Sequence, residues 1–217
     1  MVDFQSRETR RDDHVKDPDD EGEESGDFEP AESEPASDED SHDEQEVHHD
    51  HHHHDVECVG VAVLTVSSSR SLDDDPAGDA IEAAFEADGG EVVMRELIAD
   101  GYDRVQSAVD NLASRGDVDV VVTTGGTGVT PDDVTVEAVE VLFDKELPGF
   151  GELFRLLSYD EIGTKVVGTR ATAGVADGTP VFCLPGSENA ARLGSEQIVV
   201  PEAGHLAGLA NPDEDEE

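Results

Sequence analysis

VDVVVTTGGTG, residues 118–128, is a β-branched run that closes on Gly125, Gly126, Thr127 and Gly128. Apolar along most of its length, the run reads as a strand over 118–123 buried on both faces, and the glycines as the loop carrying the chain towards a helix. The same alternation extends on both sides. Upstream, CVGVAVLTV at 58–66 predicts a strand, a polar loop follows over 67–76, and a helix is expected over 78–87 with Ile81, Ala84 and Phe85 on one side. Asp88-Gly89-Gly90 should stop that helix. Residues 91–98 predict the next strand. Val105, Ala108, Val109 and Leu112 recur at helical spacing within 102–114. Downstream, helices are expected over 134–143 and 150–158, a strand over 179–184, the turn Pro185-Gly186-Ser187, and a last helix over 189–199. Strands alternating with helices at this spacing imply parallel β-α-β units. The expected fold is α/β, an open doubly wound and mostly parallel sheet with helices on both faces.

Charge divides the chain. It has 217 residues with 55 acidic and 13 basic side chains, a formal charge of −42. Residues 1–55 hold 22 of the acids, 4 of the bases and eight of the nine histidines, with Phe4 and Phe28 as the only aromatics. Such a segment buries too little apolar surface to offset the entropy of ordering it, and it is expected to be a disordered tail. Residues 56–210 have the Val, Ile and Leu runs of a single domain, and 211–217 form a short acidic tail. Clustered Lys and Arg for nucleic acid are missing. No apolar run spans a membrane, and MVDFQSRETRRDDH has no apolar core of a secretory signal. Two cysteines, Cys58 and Cys183, are too few for a disulfide framework. A cytoplasmic protein is expected. Abundant acid, only Lys145 and Lys165 as lysines after residue 55, and small apolar residues suit concentrated salt. There the Debye length shrinks to about 3 Å and self-repulsion is screened. A specifically acidic protein of an ordinary cytoplasm is the alternative.

In open α/β sheets, ligands bind at the carboxyl ends of the strands. Three loops there have the composition of a binding site: Ser67-Ser68-Ser69 with Asp73 to Asp75, Thr124 to Gly128, and Pro185-Gly186-Ser187. Glycines let a phosphate approach the backbone, and hydroxyls and amides supply donors. The spacing is neither a Walker loop nor a dinucleotide fingerprint, and a tight turn alone would explain one or two of the glycines. Asp133 reads either as a functional acid or as a helix cap, with Asp132 competing for the role. Asp100 reads either as a catalytic acid at a strand end or as a solvated loop residue. Carboxylates beside phosphates become compatible if Mg²⁺ joins them. The run His48-His49-Asp50-His51-His52-His53-His54 could hold Zn²⁺, Ni²⁺ or Cu²⁺, as a metal buffer or as a linker with incidental affinity.

TTGGTG at 123–128, Asp133, LPGFGE at 147–152, TRATAG at 169–174 and LPGS at 184–187 resemble the MogA/MoaB family of molybdopterin-binding proteins, and residues 143–164 resemble its MoaB branch. TVSSSRSLDDDPAG at 65–78 resembles the family's first ligand loop. The resemblance implies the molybdopterin-binding fold and a molybdopterin adenylyltransferase. Such an enzyme joins the terminal phosphate of molybdopterin to AMP from ATP, with Mg²⁺, releasing pyrophosphate. It implies Asp100 and Asp133 as catalytic acids and Mg²⁺ anchors. Ser67, Asp75, Gly125, Gly126, Thr127, Gly128, Pro185, Gly186 and Ser187 would line the ligand cleft. Arg170 would be a cationic partner, and Arg155 is expected instead to pair with Glu152. It further implies a homotrimer or homohexamer and, as a partner, the molybdate-inserting enzyme of the pathway. A non-catalytic molybdopterin-binding or scaffold protein is the alternative.

Overall fold

The computed structural model describes residues 55–211. Residues 1–54 of the expected acidic tail, with its histidine run, and residues 212–217 lie outside the described residues. Six strands form one sheet: β1 (Gly60–Val66), β2 (Glu91–Ile98), β3 (Val120–Thr124), β4 (Lys145–Glu146), β5 (Thr172–Ala176) and β6 (Thr179–Leu184), in the order β2-β1-β3-β6-β5-β4. β2, β1, β3 and β6 are parallel, whereas β5 runs antiparallel to β6 and β4 to β5. The expected mostly parallel sheet is therefore present, with an antiparallel edge.

Alternation along the central strands places each side chain. Val61 and Val63 on β1, with Val120 and Val122 on β3, face one side. There they meet Ile81 and Phe85 of α1 (Pro76–Asp88), Phe150 and Phe154 of α4 (Pro148–Ile162), Ala191 of α5 (Glu188–Gly194), and Ala203 and Ala207 of α6 (Val200–Ala210). Ala62, Leu64 and Val66, one residue out of phase, face the other side. They meet Val105, Val109 and Leu112 of α2 (Tyr102–Ala113) and Ala138 and Val139 of α3 (Thr135–Glu140). Helices thus cover both faces, as a strand apolar on both sides requires. Phe85, Phe154, Phe182 and Leu64 are fully buried, and each contributes about 1.5–3 kcal/mol of transfer free energy.

Several expectations change, and the helix expected over 150–158 runs Pro148–Ile162. The first helix starts at Pro76, two residues early, because buried Asp75 caps it by accepting the Gly78 amide at 3.1 Å. α3 ends at Glu140 rather than 143, and Phe143 leaves the helix to lay its ring on Gly174, where a Cβ would lie 2.3 Å from the ring. β4 and β5 were not expected. The first is two residues long, and the second, Thr-Ala-Gly-Val-Ala, has little side chain to mark a buried strand. The last helix does not stop at 199. A π turn over Ser195–Val199 carries it into α6, and this shift of hydrogen-bond register takes it past Pro201, which has no amide to donate. Gly89 stops α1 as expected, at φ 92° with its amide on the Glu86 and Phe85 carbonyls.

Candidate active site

The carboxyl ends of β1, β3 and β6 open into a cleft of about 520 Å³, lined by the loops that follow these strands together with Asp100 after β2. The glycine loop forms its floor. Gly125 and Gly126 have φ 98° and 65°, a region that disfavours any side chain. Space forbids one as well. A Cβ on Gly125 would lie 2.2 Å from the Val66 carbonyl, and one on Gly126 would lie 2.2 Å from the Thr135 hydroxyl. Gly186 of the third loop presses on the first of these, its own Cβ position 3.1 Å from the Gly125 Cα. The loop is pinned from three sides: Gly125 N–H donates to Leu184 at 3.0 Å, Thr135 N–H donates to Gly126 at 3.0 Å, and the Thr124 hydroxyl donates to Pro185 at 3.0 Å. Among the described residues no hydrogen bond occupies the Gly126 and Thr127 amides. A rigid floor of this kind suits an anion.

Both candidate acids line the cleft. Asp100 accepts the Ser68 hydroxyl at 2.5 Å, and its amide donates back to that hydroxyl at 3.2 Å, tying the second strand end to the first loop. Asp133 does not cap the following helix, whose cap residue is Val134. It turns back instead and accepts both the amide and the hydroxyl of Thr130, at 2.8 and 2.6 Å. The Thr130 hydroxyl holds its carboxyl below the ordinary carboxylate range; burial opposes this, and the Thr130 and Gly128 amides and the charge of Arg170 reinforce it. Asp133 is therefore an ionised group at neutral pH. Asp132 is exposed and lies outside the cleft lining.

The other expected residues divide. Ser67, Gly125, Gly126, Thr127, Gly128, Pro185 and Gly186 line the cleft. Asp75 does not: it lies beneath the cleft, accepting the hydroxyl of Thr65 at 2.6 Å and a guanidinium nitrogen of Arg95 at 3.2 Å. Ser187 caps α5 by accepting the Ala190 amide at 3.3 Å and stands just outside the lining. Arg170 lies behind the loop, donating to the carbonyls of Gly128 at 2.8 Å and Asp133 at 3.0 Å, and paired with Glu137. Its hydrogen bond pulls the Glu137 carboxyl below the ordinary range. Arg170 braces the loop from behind and is not part of the cleft lining. Arg155 contacts the Ala171 carbonyl at 3.4 Å instead of Glu152. Sequence reasoning passed over Arg70, the one cation of the described residues that lines this cleft. The signal was there in Ser-Ser-Ser-Arg, a positive charge placed inside a candidate anion loop.

Comparison with known proteins decides the family. The sequence profile described as “Probable molybdopterin binding domain” matches residues 62–205. The chain belongs to this family. Within the molybdopterin-binding family it is of the MoaB/MogA type of molybdenum cofactor biosynthesis proteins. It is similar to molybdenum cofactor biosynthesis protein B of Halalkalibacterium halodurans, 43% identical over 145 residues covering 66% of this chain and 85% of that one. The protein of the same name from Escherichia coli is 41% identical over 142 residues, covering 65% and 84%. Among solved structures, a molybdenum cofactor biosynthesis protein B superposes with a TM-score of 0.69 at 40% identity, covering 70% of this chain and 96% of that one. The tungsten cofactor synthesizing protein MoaB from Pyrococcus furiosus gives 0.64 at 39% identity, covering 71% and 98%. Among the described residues no helix is long and apolar enough to cross a membrane.

Proposed function

We propose that this chain is a molybdopterin adenylyltransferase acting in molybdenum or tungsten cofactor biosynthesis. The observation that carries the reading is the meeting of Asp100 and Asp133 in one cleft with the glycine loop, at the carboxyl ends of parallel strands. A terminal phosphate oxygen of molybdopterin attacks the α-phosphorus of ATP. The bond from that phosphorus to the bridging oxygen breaks, and pyrophosphate leaves. The attacking oxygen is already ionised, so no residue has to remove a proton, and catalysis rests on positioning and charge stabilisation. The amides of Gly126 and Thr127, which carry no hydrogen bond among the described residues, would donate to the phosphates. Ser68 and Thr130 hold the two carboxylates in fixed orientations.

Two carboxylates with no third acid, His or Cys grouped with them among the described residues fit Mg²⁺ shared with substrate phosphates, and not an all-protein cage. Asp100 and Asp133 would hold the ion, which when bound neutralises charge on the transferring phosphate. The protein works in the cytoplasm, in concentrated salt, as a homotrimer or homohexamer, and passes its product to the molybdate-inserting enzyme.

The test is adenylyl transfer from ATP to molybdopterin with Mg²⁺ in molar KCl. Wild type should form adenylyl-molybdopterin, and folded Asp100→Ala and Asp133→Ala should each lose roughly 10²–10³ in rate, the scale of removing one electrostatic contributor. A folded wild type that binds molybdopterin without transfer would instead make the chain a non-catalytic binder.

A further inference from the structure

We propose that Arg70 is the phosphate-receiving cation of the cleft, held in reserve on Asp75 until a phosphorylated ligand arrives. The inference rests on the ligand class of the reading above and adds the residue that selects it. Electrostatics come first. The cleft contains the carboxylates Asp100 and Asp133 within a chain of charge −42, and a polyphosphate or phosphate monoester entering it meets repulsion. The amides of the glycine loop carry partial charges only. Arg170, the other arginine near the loop, is spent on two carbonyls and Glu137. Arg70 is the full positive charge left in the lining.

Bonding comes second. Asp75, whose side chain is 0% exposed, is already satisfied without Arg70. It accepts the Thr65 hydroxyl at 2.6 Å, the Gly78 amide at 3.1 Å and Arg95 at 3.2 Å. Arg70 stands 3.8 Å from the oxygen that accepts the Gly78 amide, too far for a hydrogen bond, with 30% of its side chain exposed, and donates no hydrogen bond among the described residues. A loose, part-exposed pair of this kind is worth little, and leaving it strands no buried charge because Arg95 stays.

Directly after Arg70 the chain closes a turn, Asp74 N–H to the Ser71 carbonyl at 2.9 Å, and then enters the α1 cap. Arg70 thus stands at the start of a closed turn, and its part-exposed side chain, with no hydrogen bond among the described residues, can swing without breaking that turn. A planar guanidinium leaving Asp75 for phosphate exchanges a long ion pair for two charge-assisted hydrogen bonds.

The experiment is equilibrium titration of the full chain in 2 M KCl (about the range where diffuse charge is screened) with ATP, with molybdopterin, and with inorganic pyrophosphate. Wild type, Arg70→Gln and Arg70→Lys are compared, with Arg115→Gln as a charge-matched control remote from the cleft, and thermal melts verify folding. Arg70→Gln should bind at least one of these about 10–100-fold more weakly, the scale of one charged hydrogen-bonded contact. Arg115→Gln should not, and Arg70→Lys should recover part of the loss. The ligand that weakens identifies the phosphate received. Unchanged affinity of folded Arg70→Gln for all three overturns the proposal. If wild type binds pyrophosphate but neither ATP nor molybdopterin, the adenylyltransferase reading fails, and a selective loss of pyrophosphate in Arg70→Gln would still uphold Arg70.

Discussion

Gly126→Ala tests whether the glycine loop is shaped by sterics as well as by backbone conformation. An alanine at φ 65° carries left-handed strain of about 1–2 kcal/mol. Its Cβ would also lie 2.2 Å from the Thr135 hydroxyl, which is buried and cannot retreat into solvent. Overpacking of this kind adds about 1–3 kcal/mol, so the total is about 2–5 kcal/mol. For a domain of this size that lowers the melting temperature by roughly 4–20 °C. Gly89→Ala is the matched control: φ 92°, with nothing within 4 Å of the new Cβ. It should cost only the strain, about 1 kcal/mol after the gain from a stiffer unfolded chain. Thr135→Ala completes the cycle. Its hydroxyl has no hydrogen-bond partner among the described residues, so truncation gives up about 1 kcal/mol of packing and no polar contact. Thermal denaturation in molar KCl should show Gly126→Ala well below Gly89→Ala, with the Gly126→Ala/Thr135→Ala pair recovering about 1–3 kcal/mol relative to additivity. Equal melting of the two single glycine variants, or strict additivity in the pair, would refute the steric argument.

Three further outcomes are expected. Asp133 and Glu137 both have carboxyls held below the ordinary range, so each contributes stability above its unfolded pKa and loses it as pH falls through the folded value. Urea unfolding should weaken below roughly pH 4, and Asp133→Asn should flatten that acid limb; an identical limb in the variant would contradict the assignment. Arg170→Met removes the donors to Gly128 and Asp133 and should lower stability by about 1–3 kcal/mol while weakening ligand binding, measured by urea midpoint and titration. Burial pushes the Cys183 thiol up to about 12, whereas Cys58 is exposed. Mass spectrometry after iodoacetamide at pH 8 should find one alkylated cysteine in the native chain and two in denaturant.

The parallel half of the sheet is legible because β1 and β3 are written in β-branched runs and β6 in a short apolar one before Pro185-Gly186, each buried on both faces. β2 was found to the residue, since Gly90 and Asp100 bracket it. The antiparallel edge was not legible. There Phe143 covers Gly174 and the Asp144 amide donates to the Val175 carbonyl, contacts between residues 31 apart that no local pattern announces. In the site, composition located the loops but not the direction of their side chains. Asp75 and Arg170 have the right chemistry for ligands and are turned inward, one as a helix cap and one as a clamp on carbonyls. Arg70, one residue beyond the serines, faces the cleft. Those directions are decided by partners far along the chain, Arg95 for Asp75 and Gly128 for Arg170, and only the fold brings them together.

The near-contact of Gly186 with Gly125 has a consequence for anyone who would redesign this protein. Two segments some sixty residues apart share a tight seam, in which a methyl group on Gly186 would force its neighbour to give by a few tenths of an ångström, so a change in one loop is felt in the other. A loop grafted from a relative at one position will import that relative's spacing to the other, and the graft should fold only when both strands' loops travel together. Because Gly125 is also closed off by the Val66 carbonyl and by its own φ, it is the fixed side of this seam, and whatever stands at 186 has to fit around it.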